Sequence, residues 1–177
     1  MSGHSKWAQI KRQKASTDAK KSAVFGKFAR LVAAESKKVA GNTDSPGLRA
    51  AIERARAINM PKENIDRAVM KGKEGGGAEM ESIAYEMYGP GGVAIVIDVL
   101  TDSRNRSNQE LKHLLAEIGY TLATPGSALW AFTKSPDGSR EAVSTVELDN
   151  DDLTKLGALV DALEARDDVD SVTTNAA

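Results

Sequence analysis

A glycine-rich segment, Gly-Lys-Glu-Gly-Gly-Gly at residues 72–77, interrupts this 177-residue chain and prevents one continuous helix or strand from crossing it. Each glycine in a helix interior costs about 1 kcal/mol relative to alanine, so a run of them favours a joint. The spacing of apolar residues also changes here, from helical before the segment to mixed after it. The sequence therefore predicts a domain at 1–73, a linker at 74–77 and a second domain at 78–177.

The first domain is predicted to contain three helices. Gly41 and the residues after it end the first helix, Ser45 and Pro46 are placed to begin the second, and Pro61 opens a third that Gly72 ends. The apolar stripes at helical spacing are Val24, Phe25, Phe28, Leu31, Val32 and Val39; then Leu48, Ile52 and Ala55; then Ile65, Ala68 and Val69. Three helices around one small core are expected.

The second domain is predicted to mix strands with helices. Apolar runs at 83–88 and 93–100 flank Gly89-Pro90-Gly91-Gly92, which is typical of a β-hairpin. Further short strands are predicted at 121–124, 128–132, 143–148 and 169–174. Two amphipathic helices are marked by Leu111, Leu114, Leu115 and Ile118, and by Leu153, Leu156, Leu159, Val160 and Leu163. The expected fold is α+β, with a split βαβ, ferredoxin-like sandwich after the helical domain.

Charge is distributed very unevenly along the chain. Residues 1–73 carry 17 Lys and Arg against 6 Asp and Glu, whereas residues 74–177 carry 7 against 19. The overall net charge of −1 therefore conceals a strongly cationic first domain and a strongly anionic second domain. A cationic domain of this kind is typical of proteins that contact a polyanion such as nucleic acid.

The sequence contains none of the residue patterns on which common enzymes depend. It has no cysteine and only two histidines, so a zinc site or a cysteine nucleophile is not expected. The glycine clusters at 75–77 and 89–92 match no phosphate-binding motif, and the pairs Asp151-Asp152 and Asp167-Asp168 fit a helix start and a turn. A non-enzymatic protein without cofactor, metal or small-molecule substrate is expected.

No segment is predicted to enter a membrane. The longest apolar stretch, residues 93–100, contains Asp98 and is far shorter than the roughly 18 residues that a membrane helix needs. The N-terminal residues also lack the apolar core of a secretory signal. A cytoplasmic location without a membrane partner is therefore expected.

The candidate nucleic-acid contacts begin in a basic N-terminal arm, residues 4–14. The arm contains several cations and one aromatic residue, Trp7, which can stack on an exposed base or anchor the arm on the helices. Arg104 and Arg106 stand at the start of a predicted helix, where they can pair with local carboxylates or face phosphate, and phosphate is the favoured interpretation. The full candidate set is Lys6, Trp7, Lys11, Arg12, Lys14, Lys20, Lys27, Arg30, Arg104 and Arg106.

Several motifs, in order along nearly the whole chain, carry a family resemblance. They are Gly-His-Ser-Lys-Trp-Ala-Gln-Ile-Lys at 3–11, Asp-Ala-Lys-Lys at 18–21, Asn-Met-Pro-Lys-Glu-Asn-Ile-Asp-Arg-Ala at 59–68, Tyr-Gly-Pro-Gly-Gly-Val-Ala at 88–94, Leu-Thr-Asp-Ser-Arg-Asn-Arg-Ser at 100–107 and Val-Glu-Leu-Asp at 146–149. With these motifs the chain resembles the YebC/PmpR family, which implies a helical N-terminal domain followed by α/β lobes. Members of that family carry a further α/β lobe after the strand at 128–132. Here residues 133–142 form a short predicted loop, so the chain is expected to be a short member.

The resemblance implies a non-enzymatic regulator of gene expression that binds nucleic acid. Family members are described as transcriptional regulators of promoter DNA, or as translation factors that act at the ribosome and ease passage through proline-rich stretches. A DNA-binding transcriptional regulator is expected here, and a ribosome-associated factor that contacts ribosomal RNA is the alternative. A protein-interaction module that acts through the acidic domain is a second alternative. No helix-turn-helix, zinc finger or basic zipper is evident that would decide between DNA and RNA.

Overall fold

The computed structural model describes residues 6–14, 18–76, 79–136 and 138–177, and of residues 12–14 and 18–22 it describes the backbone only. Two compact units are present. A helical unit takes in residues 18–80, and an α/β unit takes in the N-terminal helix together with residues 81–135 and 139–177. The structure thus groups the N-terminal helix with the α/β unit, whereas the sequence analysis assigned it to the helical domain.

The helical unit is built from three helices, which are α2 (Asp18–Lys38), α3 (Pro46–Ala57) and α4 (Lys62–Lys73). Pro46 is the first residue of α3, as predicted, and Ser45 holds the N-cap position without a capping side-chain hydrogen bond. Helix α2 packs against both α3 and α4. The predicted apolar stripes form the buried core, which includes Val32, Leu48, Ala55 and Ile65.

Gly72 does not end α4, contrary to the prediction, but lies buried within it. A Cβ atom at this position would stand 2.3 Å from the Ala33 carbonyl oxygen and 2.6 Å from the Ser36 Cβ. Close by, the buried Ser36 hydroxyl donates a hydrogen bond of 2.7 Å to the carbonyl of Val69. Glycine is required here because it allows the backbones of α2 and α4 to approach closely, and not because it terminates a helix.

The α/β unit contains α1 (Lys6–Lys14), β1 (Glu81–Tyr88), β2 (Ala94–Thr101), α5 (Arg104–Glu117), β3 (Phe132–Lys134), β4 (Arg140–Ala142), α6 (Asn150–Glu164) and β5 (Val169–Thr174). The main sheet has the order β1-β2-β5, and both pairings are antiparallel. The β1–β2 hairpin is confirmed. Its turn is a single 3-10 turn in which Gly91 and Gly92 have positive φ angles of 64° and 79°, a conformation that glycine adopts at low cost.

The central strand β2 separates two cores. On one face of the sheet, Ile95, Ile97 and Val99 belong to a large cluster that also contains buried leucines of α5 and α6. On the other face, Ala94 and Val96 pack with Ala128, Ala131 and Phe132. Every residue of β2 except Asp98 is buried, so the strand is enclosed from both sides.

Part of the predicted strand pattern is wrong. Residues 121–124 form no strand, residues Leu129–Ala131 form a 3-10 turn before β3, and residues 143–148 contribute only an isolated bridge between Val146 and Ala176. Conversely, β4 lies within the predicted loop at 133–142. The α+β class is confirmed, but in the described part of the chain the main sheet has three strands, one fewer than a ferredoxin-like sandwich contains.

The close contact at Gly72 generates the first prediction. Replacing Gly72 with alanine should lower the unfolding free energy of the protein by about 1–3 kcal/mol, because the new methyl group overpacks the contact between α2 and α4. The matched control is Gly26→Ala in α2, where no atom lies within 4 Å of the added Cβ. That control should be neutral or stabilising by up to about 1 kcal/mol. Denaturant unfolding followed by circular dichroism measures both, and equal stabilities would contradict the packing argument.

Candidate nucleic-acid interface

Helix α1 is attached to the α/β unit by its aromatic residue. The Trp7 side chain is only 8% exposed and belongs to the same core cluster as Ile95 and Leu156, and the partly buried Ile10 packs against that cluster. Burial of a large apolar side chain contributes about 1.5–3 kcal/mol. Of the two interpretations of Trp7, the structure supports the one in which it anchors the arm. The arm is anchored on the core of the α/β unit, however, and not on the helical domain as the sequence analysis had it. The ring is not exposed for stacking.

Two cations of α1 lie on the surface of the α/β unit. The Lys6 Nζ atom donates to the Asn150 Oδ1 atom at 3.4 Å, and the Lys11 Nζ atom donates to the Val172 carbonyl oxygen at 3.3 Å. Both lysines remain exposed to solvent. Arg12 and Lys14 follow on the same helix, but their side chains lie outside the described part of the structure.

The helical unit carries the next group of candidates. Lys27 is half-buried and Arg30 is exposed on α2, while Lys20 lies on the same helix with its side chain outside the described atoms. Helix α4 of the same unit carries three more exposed lysines that are absent from the candidate set: Lys62, Lys71 and Lys73. The stripe of Ile65, Ala68 and Gly72 is the signal that could have found them, because it defines the buried side of α4 and leaves the lysines outside it.

Arg104 and Arg106 pair with carboxylates near the start of α5. The Arg104 Nε atom lies 3.5 Å from a Glu81 carboxylate oxygen, and the Arg106 Nη2 atom lies 2.5 Å from the Asp102 Oδ1 atom. The hydrogen bond to Asp102 raises the pKa of Arg106 above its ordinary value. Both guanidinium groups are therefore engaged by local carboxylates, which is the interpretation that the sequence analysis weighed against phosphate.

A half-buried ionic network lies beside this segment. Arg166 donates to Asp168 at 3.0 Å and to Glu110 at 2.8 Å. Burial by itself would raise the pKa of Asp168, but hydrogen bonds from Arg166 and Ser107 outweigh it and hold that pKa below its ordinary value. Asp168 therefore acts as a structural acceptor that ties the approach to β5 to α5.

Glu86, which the sequence analysis did not single out, organises the loop that leads to β3. The residue is 4% exposed, and its carboxylate accepts hydrogen bonds from the backbone N–H groups of Gly126, Ala128 and Leu129 at 2.6, 2.7 and 2.9 Å. Burial favours a raised pKa for Glu86, but these three donors outweigh it and lower the pKa. A buried, charged carboxylate thus fixes the loop.

The described residues contain no group of three or more histidine, aspartate or glutamate side chains that could hold a metal ion. They also contain no helix with the length and apolar character that crossing a membrane requires.

Comparison with known proteins identifies the family. The model of the TACO1/YebC protein N-terminal domain matches residues 5–75, and that of the TACO1/YebC second and third domain matches residues 80–136. The chain belongs to the TACO1/YebC family. The resemblance read from the sequence motifs is confirmed.

Relatives in this family are named probable transcriptional regulatory proteins. The chain is 48% identical to one from Thermotoga maritima, an alignment that covers 83% of this chain and 60% of that protein. It is 35% identical to one from Chloroherpeton thalassium, and here 99% of this chain and 95% of the relative are covered. A crystal structure of a conserved hypothetical protein from Aquifex aeolicus matches with a TM-score of 0.76 and 29% identity, over 97% of this chain and 96% of that chain.

Within the TACO1/YebC family this chain is short. It spans only 54–62% of the length of several relatives that it matches. The alignment to the Chloroherpeton relative extends over 237 positions, so that protein has residues with no counterpart among the 177 here. The match to the second and third domain ends at residue 136, in the loop between β3 and β4.

The Glu86 network generates the second prediction. Glu86→Gln should lower the unfolding free energy at neutral pH by about 1.5–3 kcal/mol, because the side-chain amide replaces one acceptor oxygen with a donor facing backbone N–H groups. Since the folded pKa of Glu86 is lowered, its contribution to stability is present above the unfolded pKa of about 4.3 and is lost as pH falls through the folded pKa. The variant should therefore lose less stability than the parent on acidification below about pH 5.

Denaturant unfolding at a series of pH values measures this effect. Glu147→Gln provides the control, because Glu147 is an exposed carboxylate of the same unit. If Glu86→Gln matched that control at every pH, the carboxylate would not be what holds the loop.

Proposed function

We propose that this TACO1/YebC-family protein is a non-enzymatic regulator of gene expression that binds nucleic acid, with promoter DNA as its target. The observation that carries the proposal is the composition and position of α1. Its nine residues contain four cations and no carboxylate, and Lys6 and Lys11 are exposed on its surface. The names of the relatives support a role in regulation.

The contact is electrostatic. Cations that neutralise phosphates release condensed counterions, so affinity falls as salt concentration rises. The helical unit adds to the charge, since residues 18–80 carry 13 Lys and Arg against 8 Asp and Glu. Residues 81–177 carry 7 against 17, so the α/β unit beyond α1 has a net negative charge, and only local cationic or neutral parts of it can lie near phosphate.

Trp7 contributes by positioning α1. Because the indole is buried in the α/β core, α1 is anchored on that unit, with Lys6 and Lys11 exposed at its surface. Preorganised cations lose less conformational entropy when they bind phosphate. In this proposal Lys6, Lys11, Arg12 and Lys14 contact phosphates from the α/β unit, and Lys20, Lys27 and Arg30 make contacts of their own from the helical unit. Arg104 and Arg106 join by exchanging their carboxylate partners for phosphate.

The charge of α1 is tested by a double reversal, Lys11→Glu with Lys14→Glu. Affinity for a promoter duplex should fall, and the slope of log K against log salt should become shallower by about 0.9 for each phosphate that the variant no longer neutralises. Lys112→Glu with Lys155→Glu makes the same change in net charge at exposed positions of α5 and α6. If both double variants weakened binding equally, net charge and not α1 would be responsible.

The nature of the target is tested by sedimentation with purified ribosomes at increasing salt, in the presence of excess promoter duplex. A DNA-directed protein should be removed from the ribosome pellet by the duplex at near-physiological salt. Retention on ribosomes despite the competitor would contradict the DNA target and favour the ribosome-associated alternative. The Lys11→Glu and Lys14→Glu variant reports whether α1 makes whichever contact is found.

A further inference from the structure

Two aromatic side chains stand together on the surface of the α/β unit. Trp130 is 60% exposed and Tyr88 is 40% exposed. The Trp130 Nε1 atom lies 3.2 Å from the Tyr88 hydroxyl oxygen and donates to the Ser127 carbonyl oxygen at 2.8 Å, while the Tyr88 hydroxyl donates to the same carbonyl. The two rings are thus joined through one backbone acceptor.

The support beneath this pair is rigid. The Glu86 carboxylate holds the N–H groups of residues 126, 128 and 129 immediately before Trp130, and Ala131 and Phe132 are buried immediately after it. On β4, Arg140 makes two hydrogen bonds of 2.9 Å to Asp98 of the main sheet. The exposed indole is therefore held in place from both sides.

The part of the Trp130 ring that remains available to a ligand is its flat apolar face. Its only polar atom already donates to Ser127, so its edge needs no further partner. With more than half of its surface in water, the ring contributes little to the core. A large aromatic side chain that is fixed by hydrogen bonds but left uncovered is suited to stacking against another flat ring.

The charges around the pair are compatible with a nucleic acid, although the α/β unit as a whole is acidic. Between residues 120 and 135, Lys134 is the only charged residue, and none occurs from residue 87 to residue 97. Of the two carboxylates of the sheet in this region, Glu86 is charged but buried beneath the loop and held by backbone N–H groups, and Asp98 is paired with Arg140. A phosphate chain at this place meets the exposed Lys134, while the one exposed carboxylate of the adjoining strand β4, Glu141, lies opposite Thr133.

We propose that Trp130 and Tyr88 form a stacking platform for an unpaired nucleobase. The proposal rests on the proposed function and deepens it, because it names the form of nucleic acid that this surface takes. Bases inside a duplex are covered on both faces by their neighbours, so only a single-stranded, looped or terminal base can lie on the indole. Trp130 thereby supplies the stacking contact that the buried Trp7 does not.

The test is a binding comparison with four probes of equal length: single-stranded RNA, single-stranded DNA, a duplex, and an abasic phosphodiester chain. Trp130→Ala should weaken binding of the single strands about ten- to a hundredfold and leave binding of the abasic chain unchanged. Trp130→Phe should restore most of the affinity, because it restores a ring. Val143→Ala, which trims another exposed apolar side chain of the same unit, is the control and should change nothing.

The outcomes separate the platform from the proposed function. If the parent protein binds every probe and Trp130→Ala binds the single strands equally well, the platform is wrong and the electrostatic proposal stands. If the parent binds no probe, the proposed function itself fails. An equal loss of affinity for the single strands and for the abasic chain would show that Trp130 has only a structural role, and would overturn the platform. If Trp130→Ala lowers the affinity for one type of single strand more than for the other, that result shows whether the stacked base belongs to RNA or to DNA.

Discussion

The enclosure of β2 is the constraint on which the α/β unit depends. Its apolar residues face two separate cores, and the only residue that is not buried is Asp98. Helices α5 and α6 and the Trp7 side chain pack on one face, while the loop at 126–131 and β3 cover the other. A strand enclosed in this way leaves its neighbours few alternatives, since a register slip by one residue would exchange the two sets of side chains.

A buried acid makes the second face possible. Loop backbone that lies over a sheet needs partners for its N–H groups, because an unpaired buried donor costs about 1–3 kcal/mol. Glu86 supplies acceptors for three of them, and Arg140 balances Asp98 nearby. The same arrangement that completes the fold also determines where Trp130 stands, so stability and the proposed platform have a common origin.

The sequence predicted what depends on neighbouring residues and missed what depends on distant ones. Helices α2 to α6 and the β1–β2 hairpin follow from local periodicity and turn residues, and all of them form. Three features join segments that are far apart in the chain. Trp7 packs in a core with residues near the C-terminus, Glu86 binds the backbone of residues 126–129, and Gly72 lets α4 approach α2 closely. For the candidate site, residue type was enough to identify the cations. Only the structure shows that Arg106 is paired with a carboxylate whereas Lys11 contacts a carbonyl oxygen, and that Trp130 is exposed whereas Trp7 is buried.

The short hairpin of β3 and β4 bears on how this family varies in length. Lys134 and Arg140 are cross-strand partners, so the chain leaves and re-enters the unit at adjacent points. A segment of almost any size can be spliced between such points without moving the elements on either side. Because the match to the second and third domain also ends in this loop, a lobe inserted here in a longer relative would begin and end at neighbouring strand ends and would leave the pairing of β3 with β4 intact.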